Sequence, residues 1–192
     1  MSKARAGAPG QVRIIAGQWR SRRLPVPDAK GLRPTPDRVR ETLFNWLAPI
    51  LPGAMCVDAF AGSGALGFEA ASRAAGRVLM IERDAKVATH LRQQQKALPA
   101  PQVEVLQADA LTALASLQDP VDIVFLDPPY GQGLLPPALQ ALLSSGQLKP
   151  SARLYLEYAR QEEPPALPAG WQMLKQTQAG DVAAMLVGQE PN

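Results

Sequence analysis

Asp127-Pro128-Pro129-Tyr130 sets a carboxylate, two rigid prolines and an aromatic ring in direct succession. Proline fixes φ and lacks an N–H, so carbonyls in such a segment are held without competing donors nearby. With the Asp127 carboxylate they form a wall of acceptors beside a flat stacking surface, which suits a planar substrate carrying an NH₂ group. The same residues also fit a proline-rich turn with a surface tyrosine. The preceding run, Ile123-Val124-Phe125-Leu126, is continuously apolar and reads as a buried parallel strand. Ligands of open α/β sheets bind just past the carboxyl ends of strands. Asp127, Pro128, Pro129 and Tyr130 are therefore the candidate catalytic residues.

A second constellation lies upstream. Asp58-Ala59-Phe60-Ala61-Gly62-Ser63-Gly64-Ala65-Leu66-Gly67 joins a strand to a helix, and Gly62 to Gly67 satisfies G-x-G-x-x-G. That pattern fits both a nicotinamide dinucleotide and S-adenosylmethionine (SAM). Asp58, just before the loop, is unfavourable beside a pyrophosphate and favourable near the ammonium and sulfonium of SAM. Glu82 ends the next strand, where an acid accepts from both ribose hydroxyls of either cofactor. Asp109, followed by Ala110, ends the third, where it can accept from an adenine amino group or simply cap a helix. Acids at three successive strand tips, with the tetrapeptide at the fourth, favour SAM. The candidate cofactor residues are Asp58, Phe60, Gly62, Ser63, Gly64, Glu82, Asp109 and Ala110.

The elements that must position these groups alternate from about residue 54. Strands are expected at 54–60, 78–82, 103–107, 123–127 and 154–158, and helices at 65–75, 85–98, 111–117 and about 135–143. Residues 173–177 and 183–187 read as a closing hairpin. Repeated β-α units imply a mostly parallel doubly wound sheet, here with an antiparallel edge. Upstream, 12–16 and 20–26 read as two strands around a Gly17-Gln18 turn. Trp19 at its tip either stacks on a base or anchors the ribbon. Thr35 reads as an N-cap and Pro36 as the first residue of a helix ending at Pro49. The expected organisation is a flexible basic tail over 1–10, a basic hairpin arm over 11–34 and a catalytic domain over 35–192.

The formal net charge of +3 conceals an asymmetry. Residues 1–40 carry ten Lys/Arg against two acids, a net of +8, which leaves −5 on the remainder. A basic arm on an acidic body suggests a polyanionic partner held at one end. Arg13, Arg20, Arg22, Arg23, Arg33, Arg38 and Arg40 are the candidate phosphate contacts; Arg33 or Arg38 could instead order the cofactor pocket. The lone cysteine, Cys56, excludes an internal disulfide framework and a thiolate zinc cluster, and with one histidine, His90, no histidine-based metal site is expected. No apolar run is long enough to span a bilayer and no signal peptide is evident, so a cytoplasmic protein is expected.

On these motifs the sequence resembles the class I SAM-dependent methyltransferases, and Asp127-Pro128-Pro129-Tyr130 resembles the [DN]-P-P-[YF] motif of enzymes that methylate exocyclic base nitrogens. Residues 13–187 are similar to the bacterial 16S rRNA guanine-N2 methyltransferases of the RsmD type. The segments that carry this are Arg13-Ile14-Ile15-Ala16-Gly17 with Trp19-Arg20, Leu32-Arg33-Pro34-Thr35, the run from Asp37 to Leu47, Phe60 to Gly67, and Phe125 to Tyr130. Gly180-Asp181-Val182 departs from the Gly-Asp-Thr usual in the family. The resemblance implies a Rossmann-like fold and SAM-dependent methylation of one guanine N2 in small-subunit 16S rRNA, on an assembled or partly assembled subunit; no metal is expected, and the protein is expected to be a monomer. Alternatives on the same fold are an adenine-N6 methyltransferase, a nicotinamide dehydrogenase and a non-catalytic RNA-binding assembly factor.

Overall fold

A computed structural model describes residues 10–27 and 35–189. The chain orders its elements as β1 (Gln11–Arg13), β2 (Arg23–Pro25), α1 (Asp37–Leu47), β3 (Met55–Asp58), α2 (Ala65–Ser72), β4 (Arg77–Glu82), α3 (Ala85–Ala97), β5 (Val103–Gln107), α4 (Ala110–Ala115), β6 (Val121–Leu126), α5 (Leu135–Ser144), β7 (Leu148–Ala159), β8 (Trp171–Ala179) and β9 (Val182–Gln189).

Seven strands form one sheet in the order β5-β4-β3-β6-β7-β9-β8. The β3–β4, β4–β5, β3–β6 and β6–β7 pairs are parallel, while β9 runs antiparallel to both β7 and β8. This is the mostly parallel sheet with an antiparallel closing hairpin that the pattern predicts. Alternate strand residues point to opposite faces, and the sheet is covered on both. Cys56, Met80, Phe125 and Tyr155 pack with residues of α1, α2 and α3. Val57, Ile81, Val124, Leu126 and Leu156 pack with residues of α4 and α5. That double burial explains why β6 reads as an unbroken apolar run. Order reverses between β3 and β6, so the crevice at their carboxyl ends is the topological switch point. Among the described residues no helix is long and apolar enough to cross a membrane.

The N-terminal strands pair antiparallel, Val12 opposite Leu24, but are shorter than expected. Beyond Ile14 the backbone turns to α2: Ile15 and Ala16 amides donate to the Glu69 carboxylate at 2.7 and 3.0 Å. Gln18 N donates to Ser72 O, and Trp19 N to Ser72 Oγ. Gly17, at φ +84°, lies so close that a Cβ would sit 1.9 Å from Ser72 O. Trp19 is buried in the main core, so of the two readings the structure takes the anchor. The β7 strand begins earlier than expected because Leu148 already pairs with Val121, past an irregularity in the register.

Candidate active site

Register sets the site. Asp58 is level with Phe125, and Ala59 N donates to Phe125 O at 3.1 Å. The end of β3 therefore lies beside the end of β6, with Asp127 just beyond it. Leu126 is level with Leu156, which brings Glu157 alongside Asp127.

The glycine loop leaves β3 and enters α2 through Gly64, whose φ of +79° belongs to the left-handed region that glycine adopts freely. Its amides are tied to the neighbouring strand β4. Ala61 N donates to Ile81 O, and Gly62 N donates to Glu82 Oε2 at 3.0 Å. Glu82 also accepts from Asp84 N. Asp58 is buried and accepts from Gly67 N at 3.0 Å, with Phe60 N a further donor. Burial pushes its carboxyl up to about 7 despite these donors, and the Glu82 charge pushes the same way. Asp109 caps α4, accepting from Thr112 N at 3.1 Å, and stays exposed at the tip of β5. Phe60 is half-buried, while Ser63 and Ala110 are buried.

The tetrapeptide turns outward from β6. Pro128 is buried, Pro129 and Tyr130 are exposed, and Asp127 is partly buried. A cleft of about 180 Å³ runs along it, lined by Pro128, Pro129, Tyr130, Leu134, Glu157 and Glu162 among others. Tyr130 Oη donates to Glu157 Oε1 at 2.7 Å, and Tyr155 Oη donates to Glu157 Oε2 at 2.7 Å. Thr35 Oγ1 stands 3.1 Å from both Asp127 Oδ2 and Glu157 Oε2. Desolvation, and then the Glu157 charge, hold the Asp127 carboxyl well above the usual carboxylate range.

Two expectations are corrected here. Thr35 does not cap α1: Pro36 occupies the cap position with no side-chain cap bond, and the Thr35 hydroxyl is drawn to the two acids instead. Arg40 is not a phosphate contact. It is buried, donates to Arg13 O and Asp37 Oδ1, and lies 3.7 Å from Glu69 Oε2. Its charge is engaged in joining α1, the arm and α2. Arg13, Arg20, Arg22, Arg23 and Arg38 are exposed. Arg33 lies outside the described residues.

Sequence reasoning passed over Glu157, Tyr155 and Glu69. Glu157 was within reach of the rule that found Asp58, Glu82 and Asp109, because it too is an acid near a strand tip. Glu69, on a helix between apolar neighbours, carried no comparable mark.

A seven-stranded sheet of this order, with a glycine loop and an Asp-Pro-Pro-Tyr turn flanking the switch point, defines a Rossmann-like methyltransferase. The family described as Conserved hypothetical protein 95 matches residues 12–188, and the chain belongs to it. The chain is 46% identical over 190 residues to ribosomal RNA small subunit methyltransferase D of Escherichia coli strain K12, covering 99% of this chain and 96% of that protein. The Haemophilus influenzae protein of the same name is 45% identical over 183 residues, covering 93% and 94%. A solved Escherichia coli structure, named only provisionally as a methyltransferase, superposes with a TM-score of 0.87 at 45% identity, covering 94% of this chain and 99% of that one.

Proposed function

We propose that the protein transfers a methyl group from SAM to the exocyclic N2 of one guanine in 16S rRNA, within the small ribosomal subunit or an assembly intermediate. The carrying observation is the meeting of the Asp127 carboxylate and the Tyr130 ring with the glycine loop at neighbouring strand tips. The ribosomal substrate rests on the names of the relatives, and the choice of guanine N2 on the family resemblance. The residues present fit SAM: the glycine loop offers a backbone turn without side-chain bulk, partly exposed Glu82 adjoins it, and the exposed Asp109 carboxylate stands one strand further out. Glu82 would hold the ribose hydroxyls, Asp109 the adenine amino group, and Asp58 would supply the negative field for the cationic end. When bound, SAM supplies an electrophilic methyl group.

The protein's own part is positioning and electrostatics. A guanine amino nitrogen is a weak nucleophile because its lone pair is delocalised into the ring. The Asp127 carboxylate and the Pro128 carbonyl accept its two hydrogens and orient the lone pair. Tyr130 stacks on the base, which must leave its own stack at a cost of a few kcal/mol. Once methylated, the nitrogen is acidic, and Asp127 or water takes its proton. Exposed Arg13, Arg20, Arg22, Arg23 and Arg38, and from sequence Arg33, engage phosphates. The protein acts in the cytoplasm as a monomer.

Mass mapping of 16S rRNA after incubation with labelled SAM tests the reading. One N2-methylguanine supports it; N6-methyladenine, or no incorporation into RNA, overturns it. Asp127→Ala is expected to abolish transfer, at least about 100-fold, while SAM affinity measured by calorimetry is retained. Near-normal turnover in that variant would remove Asp127 from the mechanism.

A further inference from the structure

Glu157 is 2% exposed, lies next to the proposed catalytic acid and makes no ion pair among the described residues. A buried charge without a counter-ion needs hydrogen-bond donors. Glu157 has them: Tyr130 Oη on one oxygen, and Tyr155 Oη with Thr35 Oγ1 on the other. Asp127 is supported by the Thr35 hydroxyl alone among these groups, and that hydroxyl has one hydrogen for two acids at equal distance. Two carboxylates so placed do not both ionise readily. Asp127, the less supported of the two, is the carboxyl held well above the ordinary range, by desolvation and then by the Glu157 charge.

We propose that Glu157 is a positioning residue for methyl transfer: it fixes the Tyr130 ring through its hydroxyl and keeps a proton on Asp127 until the substrate amine arrives. The inference rests on the base-methylation reading above. An incoming NH₂ group brings the donors that Asp127 lacks, so the carboxyl ionises and its proton leaves through the partly exposed side to solvent. When nitrogen gains the methyl group, it sheds one hydrogen as a proton, and Asp127 receives it. The raised proton affinity of Asp127, caused by burial and then by the Glu157 charge, suits that second role. The groups facing the pair are Thr35, Tyr130 and Tyr155, with Asp58 on β3 adding a further like charge to Asp127 and Glu162 acting on Tyr130. All are acids or hydroxyls, so within this group the coupling has one sign.

The test combines two measurements on full-length protein. Carbon-13 NMR of the Asp127 carboxyl, without RNA, should show a titration well above the ordinary carboxylate range in the wild type. In Glu157→Gln it should fall by about one unit or more, because the like charge is gone. Single-turnover methylation of small subunits lacking the modification should show its acid limb moving the same way. Relative to its own plateau, Glu157→Gln would then be about tenfold faster than wild type in the acid range. An Asp127 that titrates normally in the wild type overturns the proposal even if the variant does not fold. So does a titration, or an acid limb, unmoved by the substitution. A wild type that titrates as described but methylates no RNA supports the pairing and overturns the substrate reading instead.

Discussion

Asp58 shows how a loop-shaping carboxylate becomes pH-sensitive. It is buried, accepts from the Gly67 and Phe60 amides, and is pushed up to about 7 from an ordinary value of 3.8. Its proton is thus held more tightly in the folded state than in the unfolded one. The stability that follows is fully present below about pH 3.8, declines as pH rises, and is lost above about pH 7. The whole swing is at most on the order of 4 kcal/mol. Asp58→Asn removes this dependence but turns an NH₂ toward one of two amide donors, so a net gain of about 2 kcal/mol is expected near pH 8. Urea denaturation of wild type and variant at pH 5 and pH 8 measures it; the stability of the variant relative to wild type should rise with pH. Asp127 shifts in the same direction and adds to the wild-type decline. Cys56 takes no part: burial pushes its thiol up to about 12, as suits a small apolar side chain.

At the scale of elements, the arm is built onto the body. Glu69 and Ser72 on α2 take four backbone amides between them from residues 15–19, and His90 on α3 lies 2.6 Å from Pro25 O. The amides of Ile15, Ala16, Gln18 and Trp19 thereby find partners away from the hairpin ladder. Gly17→Ala places a Cβ into Ser72 O and forces a left-handed φ on alanine, so it should lower stability by about 2–4 kcal/mol. Denaturant unfolding followed by Trp19 fluorescence would show this, with loss of the arm preceding global unfolding. Helix α1 links the arm to β6 and β7. Phe44 packs 5.8 Å from Phe125, and Phe125 packs edge-on to Tyr155 at 6.4 Å. Phe44→Ala should cost about 3–5 kcal/mol in thermal or urea unfolding. The existence and type of most elements were legible from periodicity, because α/β units bury strands on both faces and helices on one. The ends of β1, β2 and β7 were not, because α2 side chains and a strand irregularity, remote in sequence, set where pairing stops.

For the whole molecule the charge division is the dominant feature. Five exposed arginines, Arg13, Arg20, Arg22, Arg23 and Arg38, lie on the N-terminal segment, against Arg77, Arg83 and Arg160 over the rest of the described residues, while acids stand at the strand tips and along the tetrapeptide cleft. A polyanion held by the arm would present a base to the cleft without laying its phosphates against those carboxylates. Replacing Arg20, Arg22 and Arg23 together should weaken binding to rRNA and reduce the slope of log K against log salt by about 2–3. Filter binding across a salt series measures it, and an unchanged slope would remove the arm from RNA recognition.

Much of the candidate site is local and could be read from the chain. The Asp-Pro-Pro-Tyr turn, the glycine loop and the acids after successive strands are short patterns whose function depends on neighbours in sequence. The doubly wound sheet follows from the same local alternation. Tertiary structure decided what local patterns cannot carry: Arg40 at the junction of α1, arm and α2, Thr35 between two acids, and Glu157 level with Asp127. Strand register and the packing of α1 against the sheet bring together groups 27 to 122 positions apart in the chain. Whether an arginine meets solvent or a buried carboxylate, and which of two neighbouring acids keeps its proton, depends on that proximity and on the exclusion of water.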